Sequence, residues 1–480
     1  MKGDDARALS RFGYAQELFR SMGGFSSFAL SFSIISVLTG IFSTYTAGLR
    51  SGGPAGLGLG WPLVSVGTML VAMAMAELAS AFPTAGALYH WSALLGGPGA
   101  GWFTAMMNLV GQVAIVAAID LACAQTAIAT FGLPLRSRTS LFLLFAAILA
   151  SHALLNIASI RLVSWLNSFS ATVHIVGVVV LVTALLALGR KQPIAFLAHT
   201  GVTTRADGVY ALGFFQALVV GMWTFTGFDA SAHASEETHD PARRAPWGIV
   251  SAVGVSALAG FGVIAGLTLG VRDLPAALAE GSVETLVLEQ SFGARAAGGA
   301  MTLVVLAMWF CGLSSVTSAS RTLYAFARDG GLPASRAARR VGARLGTPHV
   351  AITIAVVLPL ALVLATAPFS EAVFLSVATL ATTALYVSYA VPIALGAVAR
   401  SRGAWRRRGP WHLGRWSTPV AWAAVAWTAC VLTVSALADA LSLFMLLSIA
   451  VALGIAWRLR IRAHFRGPAI DLQTFEREPR

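Results

Sequence analysis

The sequence predicts an all-α, polytopic membrane protein with twelve transmembrane helices, and three observations predict it. Hydrophobic residues make up 57% of the 480-residue chain, charged residues only 11%, and mean hydropathy is +0.76, a balance that water-soluble domains do not reach. The apolar residues gather into twelve segments, each of about 20 residues or more, the length that crosses a bilayer as a helix. Positive charge is also sorted by side. With the N-terminus inside, only eight of the 33 Lys and Arg residues fall outside: Arg50, Arg136, Arg138, Arg190, Lys191, Arg205, Arg272 and Arg295. The rest lie on inner segments, with clusters at 321–344, 400–415 and 458–480. This is the asymmetry that fixes orientation in membranes, and it places both termini in the cytoplasm. The net charge of +13 is therefore read as a topology signal with contacts to anionic lipid, and nucleic acid is not an expected partner.

The first segment, 25–47, follows a polar stretch with acidic and basic residues and is too long for a signal-peptide core, so it is read as a retained span. It is interrupted at Leu38-Thr39-Gly40-Ile41. Segment 61–82 carries Glu77 near its cytoplasmic end, just before Pro83. Segment 99–131 carries Asn108 and Gln112, four residues apart and so on one helical face, with Asp120 two turns further on. Segments 139–158 and 161–189 follow, the second bearing His174. Segment 209–234 holds a second interruption, where Thr226-Gly227 and Asp229 stand within an apolar run. Segments 247–271 and 298–320 come next, the latter with Ser314, Ser315, Thr317 and Ser318, and then 349–367, 371–396, 419–437 and 440–457. The expected division is a cytoplasmic segment 1–24, a core of ten helices over 25–396, helices 11 and 12 with a preceding basic loop over 397–457, and a cytoplasmic tail 458–480.

Two interruptions in corresponding positions of two halves point to the midplane binding site of a secondary transporter. Glycine beside polar residues lets a spanning helix unwind, and the freed backbone groups are tolerable only where they line a cavity. The half-helix beginning near Gly40 and Ile41 offers N–H groups and a positive dipole end to a carboxylate. The half ending near Trp223 to Thr226 offers carbonyls to an ammonium group. An amino acid zwitterion needs both. The alternative is that Gly40 and Gly227 only permit close helix packing.

Four stretches in order carry a family resemblance. They are Ser33 to Phe42, Ala76 to Tyr89 with Phe82-Pro83-Thr84-Ala85-Gly86, Gly227-Phe228-Asp229 with Ser235-Glu236-Glu237, and Arg321 to Pro333. With them the chain, over about residues 12–460, resembles the amino acid-polyamine-organocation permeases, in the branch that carries amino acids, GABA and choline. The resemblance implies an inverted repeat in which helices 1–5 and 6–10 are related by a pseudo-twofold axis, with helices 11 and 12 appended. It implies secondary active import of a small amino acid or related amine by alternating access, driven by protons, with a sodium symporter or an exchanger as alternatives.

Expected substrate contacts are Thr39, Gly40, Ile41, Gln112, Trp223, Thr226, Gly227 and Asp229. Trp223 either stacks on the substrate or packs as other tryptophans do. Asn108 and Gln112 touch substrate or bond a neighbouring helix. Asp229 either caps the second half of its helix or faces a cationic group. The resemblance places His174 about where some proton-coupled members carry a lysine, and a buried histidine titrates in the range that a relay needs; a structural hydrogen bond is the other reading. Ser314, Ser315 and Ser318 offer oxygens to a coupling ion such as sodium, or bond their own helix. Glu236, Glu237, Arg321 and Asp329 are expected at the inner gate, with Arg321, Arg328 and Asp329 forming ion pairs to Glu236 or Glu237, and Glu77 is expected in a structural pair or at that gate.

Cys123, Cys311 and Cys430 fall inside spans without CxxC spacing, so no disulfide, metal or other cofactor is expected. A nucleotide-binding loop, an HExxH helix and rings of charge are not found in the sequence, which argues against a built-in ATPase, an embedded enzyme or a channel. Composition rich in Ala, Gly and Arg and poor in Lys points to a GC-rich bacterial genome, hence an inner membrane.

Overall fold

The computed structural model describes residues 5, 9–135, 137–201, 209–333, 335–342, 344–366, 373–438, 440–468, 470 and 472–477. Lys2, Arg7, Arg136, Arg205 and Arg480, counted in the charge asymmetry, lie outside them. Among the described residues the secondary structure is helical apart from one isolated bridge, Met22 to Thr238.

Eleven helices are long and apolar enough to cross a membrane, from Gly24–Gly58, Gly60–Ala81 and Pro98–Phe131 to Leu441–Ile461. The sixth expected span does not reach that length because its break divides it into Tyr210–Thr224 and Ala230–His233. Spans are numbered here in their sequence order, so this divided one is span 6. Span 1 is divided as well, into Gly24–Ile35 and Val37–Gly58.

Burial separates centre from rim. The apolar window of span 1 is 83% buried, against 28% in spans 4 and 5 and 17% in span 12, so span 1 sits where side chains meet protein, while spans 4, 5 and 12 lie at the rim. Spans 4 and 5 begin at Ser137 and Ser159, whose side chains accept from Ser140 N and Leu162 N, caps worth about 1 kcal/mol each.

The outer half of span 1 lies against the first half of span 6 along a glycine face. A Cβ at Gly40 would meet Thr224, one at Gly48 would meet Val220, and one at Gly52 or Gly56 would meet Ala217. Lipid gives no hydrophobic drive between helices, so such close approach supplies the packing. The inner half of span 1 is joined to the second half of span 6 by hydroxyls instead. Ser31 donates to the Phe228 carbonyl at 2.8 Å and lies 2.7 Å from Ser231, which donates to the Ser27 carbonyl at 2.6 Å.

The connection between spans 7 and 8 folds into Leu274–Ala279 and Val283–Phe292. Glu284 there accepts from Thr46 of span 1 at 2.6 Å and from Ser282 at 2.8 Å. Burial pushes its carboxyl above the ordinary value, against those two hydrogen bonds.

Candidate functional site

The break in span 1 lies at Ser36, not at Gly40. Ser36 adopts a left-handed conformation, φ 33 and ψ 80, and its side chain accepts from Thr39 N as an N-cap. Gly40 is inside the following helix, its N–H bonded to the Ser36 carbonyl at 2.9 Å. This corrects the expectation that Gly40 and Ile41 supply the free N–H groups: serine is the residue that stops and caps, while Gly40 is small because Thr224 is close. The helix-end N–H groups belong to Val37, Leu38 and Thr39.

His174 answers one of them. Its Nε2 accepts from Leu38 N at 3.4 Å, and its ring lies edge-on to Phe32, with centroids 5.5 Å apart. Ser314 donates to Asn167 Oδ1 and to the Phe310 carbonyl, and Ser315 to the Cys311 carbonyl, all at 2.9 Å. Gln112 Nε2 donates to Ser318 Oγ at 3.0 Å, tying span 3 to span 8.

The break in span 6 is where the sequence puts it. Gly227 has φ 77, and a Cβ there would lie 2.2 Å from Ile34 Cγ2, so both the backbone and the space demand glycine. The two breaks therefore pack on each other. Thr226 donates to the Trp223 carbonyl at 2.8 Å, while the carbonyls of Met222 and Thr224 accept no backbone bond among the described residues.

Asp229 occupies the cap position of Ala230–His233 but makes no side-chain cap bond. Its Oδ1 instead accepts from Tyr389 OH at 3.0 Å, and its Oδ2 is 3.0 Å from His233 Nε2 and accepts from Asn108 at 3.3 Å. The capping expectation thus gives way to a fully buried carboxylate gathered by spans 3, 6 and 10.

On the side of the breaks away from the N-terminal segment lies a cavity of about 180 Å³, lined by Thr44, Gly48 and Ser51 of span 1, Gln216 and Val220 of span 6, and Thr379 of span 10. Trp223 lies beneath it, donating to Ser43 at 3.3 Å and edge-on to Phe374.

On the side of the N-terminal segment, ion pairs join the spans. Arg321 holds Glu237 through Nη2 at 2.9 Å and Nε at 3.1 Å, both groups buried. Arg328 holds Glu236 at 2.8 and 2.9 Å, and Glu236 also accepts from Ala85 N at 3.1 Å. Burial pushes the Glu236 carboxyl up, but Arg328 outweighs it and holds the group below the usual range.

Asp329 joins neither pair. Its Oδ2 accepts from Tyr14 at 2.8 Å and Tyr89 at 2.9 Å, and lies 3.0 Å from His90 Nε2. This corrects the expected pairing with Glu236 or Glu237: those carboxylates are already matched to arginines, and Asp329 of like charge turns to hydroxyl and imidazole donors. Tyr14 belongs to the N-terminal segment, where Arg328 sits 3.9 Å over its ring. Glu77 stands apart, between spans 2, 10 and 11, bonded to Arg400 at 2.6 Å and Ser417 at 2.7 Å.

His233, Tyr389, Ser36 and Tyr14 were not among the expected site residues. His233 carried a local signal, its i,i+4 spacing from Asp229.

Comparison with known proteins gives the context for this geometry. The model of the amino acid permease family matches residues 22–460. The chain is 38% identical to the amino-acid permease BAT1 of Arabidopsis thaliana over 89% of its own length and 87% of that protein. It is 37% identical to the BAT1 homolog of Oryza sativa over 98% and 96%, and 29% identical to the GABA-specific permease of Saccharomyces cerevisiae over 88% and 76%. These relatives are from plants and yeast and lend no support to the bacterial inner membrane expected from composition. The chain is a multi-span membrane protein and a transporter rather than an enzyme: it belongs to the amino acid permease family of the amino acid-polyamine-organocation superfamily.

Proposed function

We propose that this permease imports a small amino acid or related amine by alternating access, driven by protons, with the substrate held between the two helix breaks. The observation that carries this is their complementarity. Span 1 presents a helix N-terminus whose Val37 N–H has no acceptor among the described residues, while Leu38 and Thr39 are bonded to His174 and Ser36, and span 6 presents carbonyls at Met222 and Thr224. A carboxylate suits the first and an ammonium the second. The conformation, closed inside by Arg321–Glu237 and Arg328–Glu236 beneath an outer cavity, suits the outward-oriented half of such a cycle. The core over 25–396 then divides into two repeats of five helices, whose broken first members are spans 1 and 6. Trp223 covers the site from outside, and Gln112 and Asp229 border it.

The serine hydroxyls of span 8 are a weaker ground for sodium, since Ser314 and Ser315 donate to carbonyls of their own helix. The yeast relative's name puts GABA among the substrates to try.

The test is uptake into proteoliposomes of the twenty amino acids, GABA and choline, each tritiated, with and without sodium and an inward proton gradient. Accumulation of one or more amino acids or GABA, abolished by a protonophore, is expected. Accumulation that follows sodium alone would overturn the driving ion; none in any condition would overturn transport.

A further inference from the structure

Two histidines lie beside the breaks, and their surroundings differ. Nε2 of His174 uses its lone pair to accept from Leu38 N, and no carboxylate contacts the ring among the described residues. Protonation would take away the acceptor of a helix-end N–H and leave a cation beside Phe32. His233 is the reverse case. Its Nε2 faces Asp229 Oδ2 at 3.0 Å, its Nδ1 faces the Ala85 carbonyl at 3.3 Å, and both side chains are buried to within 1%. A carbonyl only accepts and a carboxylate prefers to, so the imidazolium satisfies both contacts at once. Nδ1 is also 3.1 Å from Thr322 Oγ1, whose hydroxyl is 3.2 Å from the Ser318 carbonyl. That hydroxyl donates to Ser318 while Nδ1 carries hydrogen, and turns to donate to Nδ1 when the proton has left.

We propose that Asp229 and His233 form the proton-binding site of this transporter, and that its occupancy is tied to the inner closure through Ala85. This rests on the transport reading above and names the site of its driving ion. The neutral side chains around the dyad come from several elements. Span 3 brings Asn108, span 8 Thr322, and span 10 Tyr389, the one further titratable group bonded to the dyad among the described residues. The charged groups are one layer further in, and already paired: Arg328 with Glu236, Arg321 with Glu237, His90 with Asp329. Ala85 connects the two layers, because its carbonyl meets His233 while its N–H meets Glu236.

A mechanism follows from this connection. In the inside-closed state Nε2–H stays with Asp229, and the proton taken from the outer solution is held on Nδ1 against the Ala85 carbonyl. Opening inward draws Ala85 away with Glu236 and Arg328. His233 then loses the acceptor that favoured its charged form, and the proton passes to cytoplasmic water. Affinity that differs between the two states is what a driving ion requires. Asp120 and His152, another buried dyad, are 3.1 Å apart among spans 3, 4 and 8 but have no bond to the inner closure among the described residues.

The test uses the full chain in proteoliposomes, with the tritiated mixture of twenty amino acids and GABA and an internal pH dye. For His233→Gln, accumulation driven by an inward proton gradient is expected to fall about tenfold or more, while exchange between loaded and external pools changes by no more than about twofold, because exchange moves no net proton. Thr322→Val removes the donor that serves neutral His233 only. It should move the midpoint of the external-pH profile upward by about one unit, the worth of one hydrogen bond, and so it decides the matter if His233→Gln does not insert. Proton-driven accumulation that survives His233→Gln, an unmoved midpoint in Thr322→Val, or loss of coupling in His152→Gln but not His233→Gln would each overturn the proposal while leaving transport intact. A wild-type protein that accumulates nothing overturns the transport reading and this one with it.

Discussion

Gly227→Leu is expected to abolish amino acid uptake in proteoliposomes while the protein still inserts and is recovered at near wild-type yield. At φ 77 an L-residue pays about 1–2 kcal/mol for its backbone alone. A Cβ 2.2 Å from Ile34 Cγ2 must in addition push span 1 away, and overpacking of this kind costs about 1–3 kcal/mol. The strain falls where the two breaks meet, so it is relieved by rebuilding span 6 as a continuous helix or by separating it from span 1, and either destroys the site. Gly40→Leu should fail too, for another reason. Gly40 is helical, and the clash is with Thr224, 2.2 Å from a Cβ. Gly40→Ala should therefore recover activity when combined with Thr224→Gly, which removes the Thr224 Cβ as well as its hydroxyl and methyl, whereas no such partner rescues Gly227. Wild-type uptake by correctly inserted Gly227→Leu would remove the broken helix from the account.

Arg321→Met should destabilise the protein more than any other removal of an inner charge. Arg321 and Glu237 are both buried and share a two-pronged contact, and taking away one partner leaves a carboxylate uncompensated at a cost of about 3–5 kcal/mol. Tryptophan fluorescence on heating in detergent should show a large fall in melting temperature for Arg321→Met and substantial recovery in the double variant with Glu237→Gln, which buries no charge. Arg400→Met is the contrast, since Arg400 is 13% exposed and its Glu77 keeps Ser417 as a donor. Equal effects at Arg321 and Arg400 would show that the inner pair is not specially placed.

Much of the fold was legible because lipid imposes a strong rule: long apolar runs must be helices. The break in span 6 was legible for a local reason, since Gly227 and Asp229 are each costly inside an apolar helix. The break in span 1 was misplaced by four residues because Gly40 resembles a helix breaker while Ser36 resembles any polar residue of a span. Only tertiary packing shows that Thr224 claims the space at Gly40 and that Ser36 carries the left-handed turn. Asp229 showed that ionisable chemistry lay in span 6, but not its partners: Asn108 is 121 residues away and Tyr389 160, beyond any local pattern. His233, at helical spacing, was the readable one. Tyr14 was illegible because the segment before span 1 looks like a solvated tail, yet it is bound between Arg328, His90 and Asp329.

The most direct measurement of the central claim is a cryo-electron microscopy map of the full chain in nanodiscs with the amino acid that it accumulates, compared with a map without it. The account predicts one new feature between the breaks, its carboxylate end at the helix N-terminus beside the Val37 N–H and its amino end toward the carbonyls of Met222 and Thr224. New density confined to the outer cavity beside Gln216 and Thr379, with Ser36 and Gly227 unoccupied, would contradict it.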